Sequence, residues 1–379
     1  MTAPLSTVPA NTSKQVATAT MTHSPMTRRA FGTLMIAAGT ASGRTTAAEG
    51  NTMRAVVLEK YGGPDVLRVS QIPIPVPNAG QVQIQVAYAG LSPTDSLIRS
   101  GQFPYHPPLP FVMGGTYSGR ITKVGAGVDP QRIGERVTGS GFGGYADYAV
   151  CDAAQAKPIP EGFDWKLGTV GVGPAVTAWH LLHTVARVRA DDVIVVHAAA
   201  GSVGLMLVQI GRELGCKVVA LVGSPAKIAW GREQVQADLW LDYRADPDWP
   251  KRVKAFTTGG RGAQFIFDGN QGEGALKNFD ALAPLGQVIF IGAMSGAAPQ
   301  ISIPTLIRGS LGVRGFVVGD GIATTQGAEL KEILPKLRSS QWKFPIAEAV
   351  PLEKVADLHR ASEERTLLGR GLIRIGGEI

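Results

Sequence analysis

The stretch VIVVHAAAGSVG, Val193–Gly204, constrains this chain more than any other. Val193–His197 is largely apolar and reads as a buried strand. A turn of small residues follows, and Ser202–Leu214 then carries apolar residues at helical spacing. Strand, tight turn and helix make the start of a βαβ unit, in which small residues let the backbone approach a diphosphate at the helix N-terminus. Ala199, Gly201 and Gly204 fill the three G-x-G-x-x-G positions, with alanine at the first. Small residues also serve ordinary tight turns; the position between a strand and a helix is what gives the match weight.

The next strand, Lys217–Val222, selects the cofactor. About 20 residues beyond such a fingerprint an NAD site carries Asp or Glu for the ribose 2′-hydroxyl. This chain has Gly223 and Ser224 there, then Lys227. No carboxylate repels a 2′-phosphate, and a hydroxyl and an ammonium are at hand to bind one, so NADPH is expected over NADH. The alternative is that Ser224 and Lys227 only start a solvated helix.

Around this unit the pattern changes twice. From Met53 short strands alternate with turns: Arg54–Lys60, Leu67–Ile72, Gln81–Tyr88, Gly114–Val124, Arg136–Gly139 and Tyr145–Val150. Thr169–Leu182 is apolar and helical, and bridges to the fingerprint. Beyond it, the strands Leu239–Tyr243, Gln264–Asp268, Gln287–Ile291 and Leu311–Val318 alternate with helices. Their near-continuous apolar runs suit parallel strands covered on both faces. A helix over Thr325–Ser339 and strand-like pieces at Ala349, Val350 and Leu372–Ile375 are expected to return to the first domain. The expected division is a leader over 1–50, a β-rich domain over 51–175, a doubly wound parallel-sheet α/β domain over 176–318, and a return over 319–379. Ligand then binds in the crevice at the carboxyl ends of the parallel strands.

Composition excludes several classes. No apolar run reaches the ~18 residues of a membrane span. Of the +7 net charge, +3 falls in residues 1–52, and the rest is dispersed, so nucleic-acid binding is not expected. Cys151 and Cys216 are too few for a disulfide framework or a cysteine-rich zinc site. Residues 1–25 are rich in Thr, Ser, Ala and Pro. Thr27-Arg28-Arg29-Ala30-Phe31, with a short apolar run after it, looks like a twin-arginine export signal. Against export stand the shortness of that run and the late Arg44, and an upstream start site is the competing reading. A cytoplasmic location is expected, with export the alternative.

Residues in several segments resemble the zinc-free quinone oxidoreductase branch of the medium-chain dehydrogenase/reductase superfamily. They are MRAVVLEKYGGPDVL at 53–67, GLSPTDSLIRSG at 90–101, GGTYSGRITKVGAGV at 114–128, IGERV at 133–137, GGYADYAV at 143–150, HAAAGSVGLMLVQIGRELG at 197–215, DYR at 242–244 and FDGN at 267–270. The resemblance implies a GroES-like β domain plus a Rossmann domain. It further implies NADPH-dependent reduction of quinones or α,β-unsaturated carbonyls, often in a homodimer. By position, Ala199, Gly201, Ser202, Val203 and Gly204 would hold the diphosphate, and Ser224, Lys227, Tyr243 and Arg365 would surround the 2′-phosphate. Asn270, Phe290 and Gly292 would line the adenosine and nicotinamide sides, with Phe316 and Val317 beside the nicotinamide near a dimer-forming strand, and Thr177 facing the cofactor from the bridging helix. Zinc-dependent relatives carry cysteine at Ser92 and His-Glu at Gly115-Thr116, so no metal is expected here. Hydride passes to an acceptor that stabilises its own oxyanion, which solvent or a nearby hydroxyl protonates.

The chain also departs from the branch. Ser92 replaces its asparagine, and Leu97 and, approximately, Phe103 stand where tyrosines are usual. Ser202 replaces a glycine, either to bond a phosphate or to cap the helix. Ser92, Thr94 and Tyr105 are the candidate catalytic residues; Tyr117 and His106 are further candidates, each with packing as the alternative. His180, His183 and His197 read as packed or capping side chains. The other functional readings are a zinc-free alcohol dehydrogenase-like enzyme or enoyl-thioester reductase, and a cofactor-binding protein with a structural or RNA-associated role.

Overall fold

The computed structural model describes residues 51–103, 106–292, 300–364 and 366–379. The leader, and with it the export-signal reading, lies outside them.

The N-terminal half is antiparallel. Strand β1 (Thr52–Leu58) pairs with β2 (Arg68–Pro73) and β4 (Phe111–Val112). A second sheet is built on β3 (Gln81–Gly90), which pairs with β5 (Thr116–Val124), β7 (Tyr148–Asp152) and β16 (Leu372–Arg374). The sheet extends through β6 (Arg136–Ser140) to β8 (Lys157–Pro158) on one side, and from β16 to β15 (Val350–Pro351) on the other. Helix α1 (Pro93–Ser100) follows β3 directly. This is the GroES-like part.

Helices α2 (Trp165–Val170) and α3 (Val172–His180) then join the two halves, as the apolar run foretold. The α2 end is bonded to the antiparallel sheet, where the Thr169 and Ser118 hydroxyls meet at 2.5 Å. Val170 Cγ1 approaches so near Gly90 that a Cβ there would stand 2.5 Å from it. The expected boundary at 175/176 falls inside α3.

The parallel half comprises β9 (Val193–Val196), α4 (Ser202–Glu213), β10 (Lys217–Val222), α5 (Pro225–Gln234), β11 (Leu239–Asp242), α6 (Trp249–Phe256), β12 (Ala263–Asp268), α7 (Lys277–Ala281), β13 (Leu282–Phe290), α8 (Ile303–Gly309) and β14 (Gly312–Gly315). The sheet order is β11-β10-β9-β12-β13-β14, all parallel. This is Rossmann order, with the topological switch between β9 and β12, and sheets of this order bind ligands outside the carboxyl ends of the strands there. Helix α4 is held by its buried face: Leu205, Met206, Leu207, Val208 and Ile210 are almost fully buried against the sheet. Each such side chain stabilises by ~1.5–3 kcal/mol.

Four expectations are corrected. β13 begins at Leu282, not Gln287, because Leu285 takes a positive φ of 67° and carries the strand past Pro284 and Gly286 through an irregular register. The last parallel strand stops at Gly315; Val318 already begins α9 (Val318–Thr325). The following helix, α10 (Leu330–Arg338), starts five residues later than expected, because Gln326 and Gly327 both adopt left-handed φ. Nor does α10 return to the antiparallel sheet. Its Ile333 and Leu337 are buried in the core shared with α3 and α4, and Lys336 pairs with Glu213 of α4 at 2.5 Å. The chain rejoins the antiparallel sheet at β15, after which α11 (Val355–Glu363) precedes β16.

Candidate active site

The turn after β9 is anchored on both sides of the switch point. His197 N donates to Phe267 O of β12, and Ala199 N to Leu221 O of β10. Ala198 is held at φ 49°, a left-handed conformation that alanine rarely adopts, and its carbonyl receives Gly201 N at 2.7 Å. Strain of this kind concentrates where a backbone is shaped for a ligand. Gly204 sits against the same turn: a Cβ there would stand 2.3 Å from Ala198 O and 2.7 Å from Ala199 Cα. Only glycine lets α4 come this close.

Gly201 is the N-cap of α4, and no side chain caps the helix. The Ser202 hydroxyl makes no hydrogen bond among the described residues, so it is not the cap. The first amides of α4 have no intrahelical acceptors and carry the positive end of the helix dipole. A diphosphate fits this cradle.

The end of β10 carries the residues that the sequence assigns to the 2′-phosphate. Ser224 is the N-cap of α5 and its Oγ accepts from Lys227 N at 3.3 Å, so the hydroxyl proton remains free to donate. Tyr243 and Arg244 lie over Gly223, where a Cβ would be 2.9 Å from the Tyr243 hydroxyl and 3.3 Å from Arg244 Nε. Arg365 lies outside the described residues.

Loops after β12 and β13 lie at the same end of the sheet. Asp268 Oδ1 accepts from Asn270 N at 2.8 Å and Gln271 N at 3.0 Å. Its Oδ2 accepts from Asn278 Nδ2, and Asn278 Oδ1 takes the Nε2 proton of His197 at 2.7 Å. His197 thus packs and bonds within the sheet end. Gly292 approaches Gly269 so closely that a Cβ would be 2.9 Å from its carbonyl oxygen. Phe290 is half-buried, and Phe316, bonded through its amide to Phe290 O, packs on the core while Val317 is exposed. Thr177 is half-buried on α3, with its hydroxyl bonded to Gly173 O.

Sequence reasoning missed a buried polar knot in the GroES-like part. Ser92 caps α1 in a reciprocal box: its Oγ accepts from Asp95 N at 3.3 Å, while Asp95 Oδ2 accepts from Ser92 N at 2.7 Å and Ser92 Oγ at 2.6 Å. Asp95 Oδ1 accepts from Gly115 N at 3.0 Å. Burial pushes Asp95 up, opposed by the Ser92 bonds, the Arg370 charge and the Gly115 bond. Arg370 is pushed down by burial. Behind them the Tyr145 hydroxyl lies 3.4 Å from His359 Nε2, and Ser96 Oγ lies 3.4 Å from Nδ1. Burial, with the nearby Arg99 charge, lowers His359 to about 3, so its imidazole is neutral. The Asp three residues after Ser92 was a visible capping-box signal; the Arg370 and Tyr145 contacts were not local and had none.

Of the other candidates, Thr94 is exposed in the first turn of α1, with no side-chain hydrogen bond among the described residues. Tyr117 is fully buried against Gly139 and Gly144, a core ring. His106 bonds Gly101 O at 2.9 Å beside the Tyr61 ring. His180 is fully buried, with Nδ1 3.0 Å from Thr184 Oγ1 and Nε2 3.5 Å from Glu329. His183 stacks on Trp179. Tyr105 lies outside the described residues. Among the described residues no group of three or more His, Cys, Asp or Glu could hold a metal ion, and no helix is long and apolar enough to cross a membrane.

An antiparallel GroES-like part joined to a Rossmann sheet, with a glycine-lined helix N-terminus at the switch point, defines a medium-chain dehydrogenase/reductase. Two family models match: the alcohol dehydrogenase GroES-like domain over residues 78–161, and zinc-binding dehydrogenase over 202–336. A quinone oxidoreductase of Pongo abelii is 31% identical over 316 residues, covering 81% of this chain and 93% of the relative. Quinone oxidoreductase 1 of Escherichia coli is 28% identical, covering 84% and 98%. Among solved structures, an E. coli quinone oxidoreductase complexed with NADPH has a TM-score of 0.77 at 27% identity, covering 85% of this chain and 99% of that one. A mycobacterial quinone oxidoreductase has a TM-score of 0.75 at 29%, with the same coverage. The chain belongs to the quinone oxidoreductase branch of the medium-chain dehydrogenase/reductase superfamily, and is an oxidoreductase.

Proposed function

We propose that this protein binds NADPH along the carboxyl ends of its parallel strands and reduces a quinone or an α,β-unsaturated carbonyl, without zinc. The observation that carries this reading is the α4 N-terminus, pressed onto Ala198 by Gly204 and left uncapped. The relatives' quinone oxidoreductase names and the NADPH-complexed neighbour support it.

Each residue then has a task. Amides of Ser202, Val203 and Gly204, with the free Ser202 hydroxyl, bind the diphosphate beside Ala199 and Gly201. Ser224, Lys227, Tyr243 and Arg365 bind the 2′-phosphate. Asn270, Phe290 and Gly292 line the cofactor, with Thr177, Phe316 and Val317 toward the nicotinamide. When bound, NADPH supplies the hydride. Ser92 holds its proton on Asp95, a short charge-assisted bond that fixes the α1 entrance. The exposed Thr94 hydroxyl and solvent remain as proton sources for the oxyanion, together with Tyr105. Ser92, Gly115 and Thr116 stand at the positions of zinc ligands and their neighbour in the zinc-dependent relatives. Ser92 and Gly115 are tied together by Asp95. We also propose a homodimer that pairs the edge strand β14, and a segmentation in which the nucleotide-binding part extends through α10.

Purified protein mixed with NADPH and 9,10-phenanthrenequinone or 1,4-benzoquinone tests the function. Rapid loss of the nicotinamide absorbance, little with NADH and unaffected by chelator, is expected. Binding without oxidation would move the acceptor to enones or enoyl thioesters. Absence of NADPH binding would refute the reading.

A further inference from the structure

The amino ends of the parallel strands hold a cavity of about 400 Å³ that the coenzyme reading leaves unused. Lys254, Arg261, Phe279, Leu282, Pro284 and Leu311 line it. Its floor is apolar. Phe279 and Leu282 are buried in the core that the sheet shares with α6 and α7, and Leu311 packs against that core. Its rim is cationic. Lys254 is half-buried in the last turn of α6, and Arg261 is exposed just before β12. Among the described residues neither side chain makes a hydrogen bond or an ion pair, and no Asp or Glu lines the cavity.

The rim is also preformed. Buried Thr257 donates from Oγ1 to Lys254 O at 2.8 Å and accepts from Gly262 N at 2.9 Å. Gly262, at φ 96°, lies so near the start of β13 that a Cβ would stand 2.6 Å from Ala281 O and Leu282 C. One hydroxyl and one glycine therefore hold the turn that carries both cations against the apolar floor. The carboxyl end of α6 offsets only about half a charge, which leaves the rim positive. The volume falls in the ~300–1,000 Å³ range of small-molecule sites. A neutral apolar ligand would leave the cations unmatched, and a small inorganic anion would leave the floor bare. Residues 1–52, with a net charge of +3, have the wrong sign to fill it. We infer that this cavity binds a small amphiphilic anion, a monocarboxylate with an apolar tail, whose carboxylate meets Lys254 and Arg261. None of the residues proposed for the coenzyme lines it, so the inference stands apart from that reading.

Calorimetric titration of the full chain with octanoate tests it, with acetate and octan-1-ol as ligands lacking the tail or the charge. Octanoate is expected to bind saturably at one site per chain, ~10-fold or more tighter than either control. Lys254→Met and Arg261→Gln should each weaken it by ~5-fold, the upper end for an exposed ion pair, and raised salt should act in the same direction. Pro284→Trp, which fills the slot and keeps both charges, should abolish binding. Thermal unfolding close to that of the wild type shows that each variant is folded. The inference is overturned if octanoate does not bind or if octan-1-ol binds as tightly. It is equally overturned if the double variant at Lys254 and Arg261 keeps the wild-type affinity, since octanoate then sits elsewhere.

Discussion

Gly204→Ala isolates the geometry on which the cofactor site depends. The added Cβ would lie 2.3 Å from Ala198 O, 2.7 Å from Ala199 Cα and 3.0 Å from Ala198 C, all backbone atoms that cannot swing away. Restoring ordinary contact near 3.4 Å requires α4 and the turn to separate by about 1 Å. A hydrogen bond of ~2.9 Å stretched by that amount is no longer a bond. Losing two amide–phosphate bonds at ~1.5–3 kcal/mol each should raise the Kd for NADPH at least ~100-fold. Stability should change far less. Overpacking costs ~1–3 kcal/mol, but replacing glycine in a helix returns up to ~1 kcal/mol. The assay is NADPH binding by fluorescence or calorimetry, with thermal unfolding in parallel. Gly274→Ala, where nothing lies within 4 Å of the new carbon, serves as the neutral control. A Gly204→Ala protein that binds NADPH as tightly as the wild type would refute the close-approach argument.

Two further outcomes are expected. His359 has its folded pKa lowered from 6.5 to about 3 by burial, so the unfolded chain binds the proton first. Its contribution to stability is complete above pH 6.5 and is lost at about 1.4 kcal/mol per pH unit as pH falls toward 3. Urea unfolding at pH 7 and pH 5 should show His359→Leu losing less stability on acidification than the wild type, by roughly 2 kcal/mol; equal losses would contradict the assignment. Val313→Lys places a charge on the exposed edge strand β14, where Val313 is 39% exposed. Light scattering should show a dimer becoming a monomer, and a monomeric wild type would remove the dimer proposal.

Much of this protein was legible in the sequence because its decisive signals are local. The apolar run Val193–Val196, the small turn and the periodic α4 identify the start of a βαβ unit without reference to the rest of the chain. Gly223 and Ser224 announce a missing carboxylate just as directly. Two of the boundary errors have one cause: at Leu285, Gln326 and Gly327 the backbone adopts left-handed φ that residue type alone does not announce for leucine or glutamine.

The sequence by itself determined the fold class and the strand–turn–helix unit proposed to bind the cofactor, since hydrophobic period and turn residues act over a few positions. Tertiary structure alone decided that α10 packs with α3 and α4 and that Asp95 meets Gly115 and the Arg370 charge. It also decided that Asp242 is spent on backbone amides while Arg244 lies over Gly223. Those relations join residues on different elements, and burial and electrostatics fix them only after the sheets have assembled.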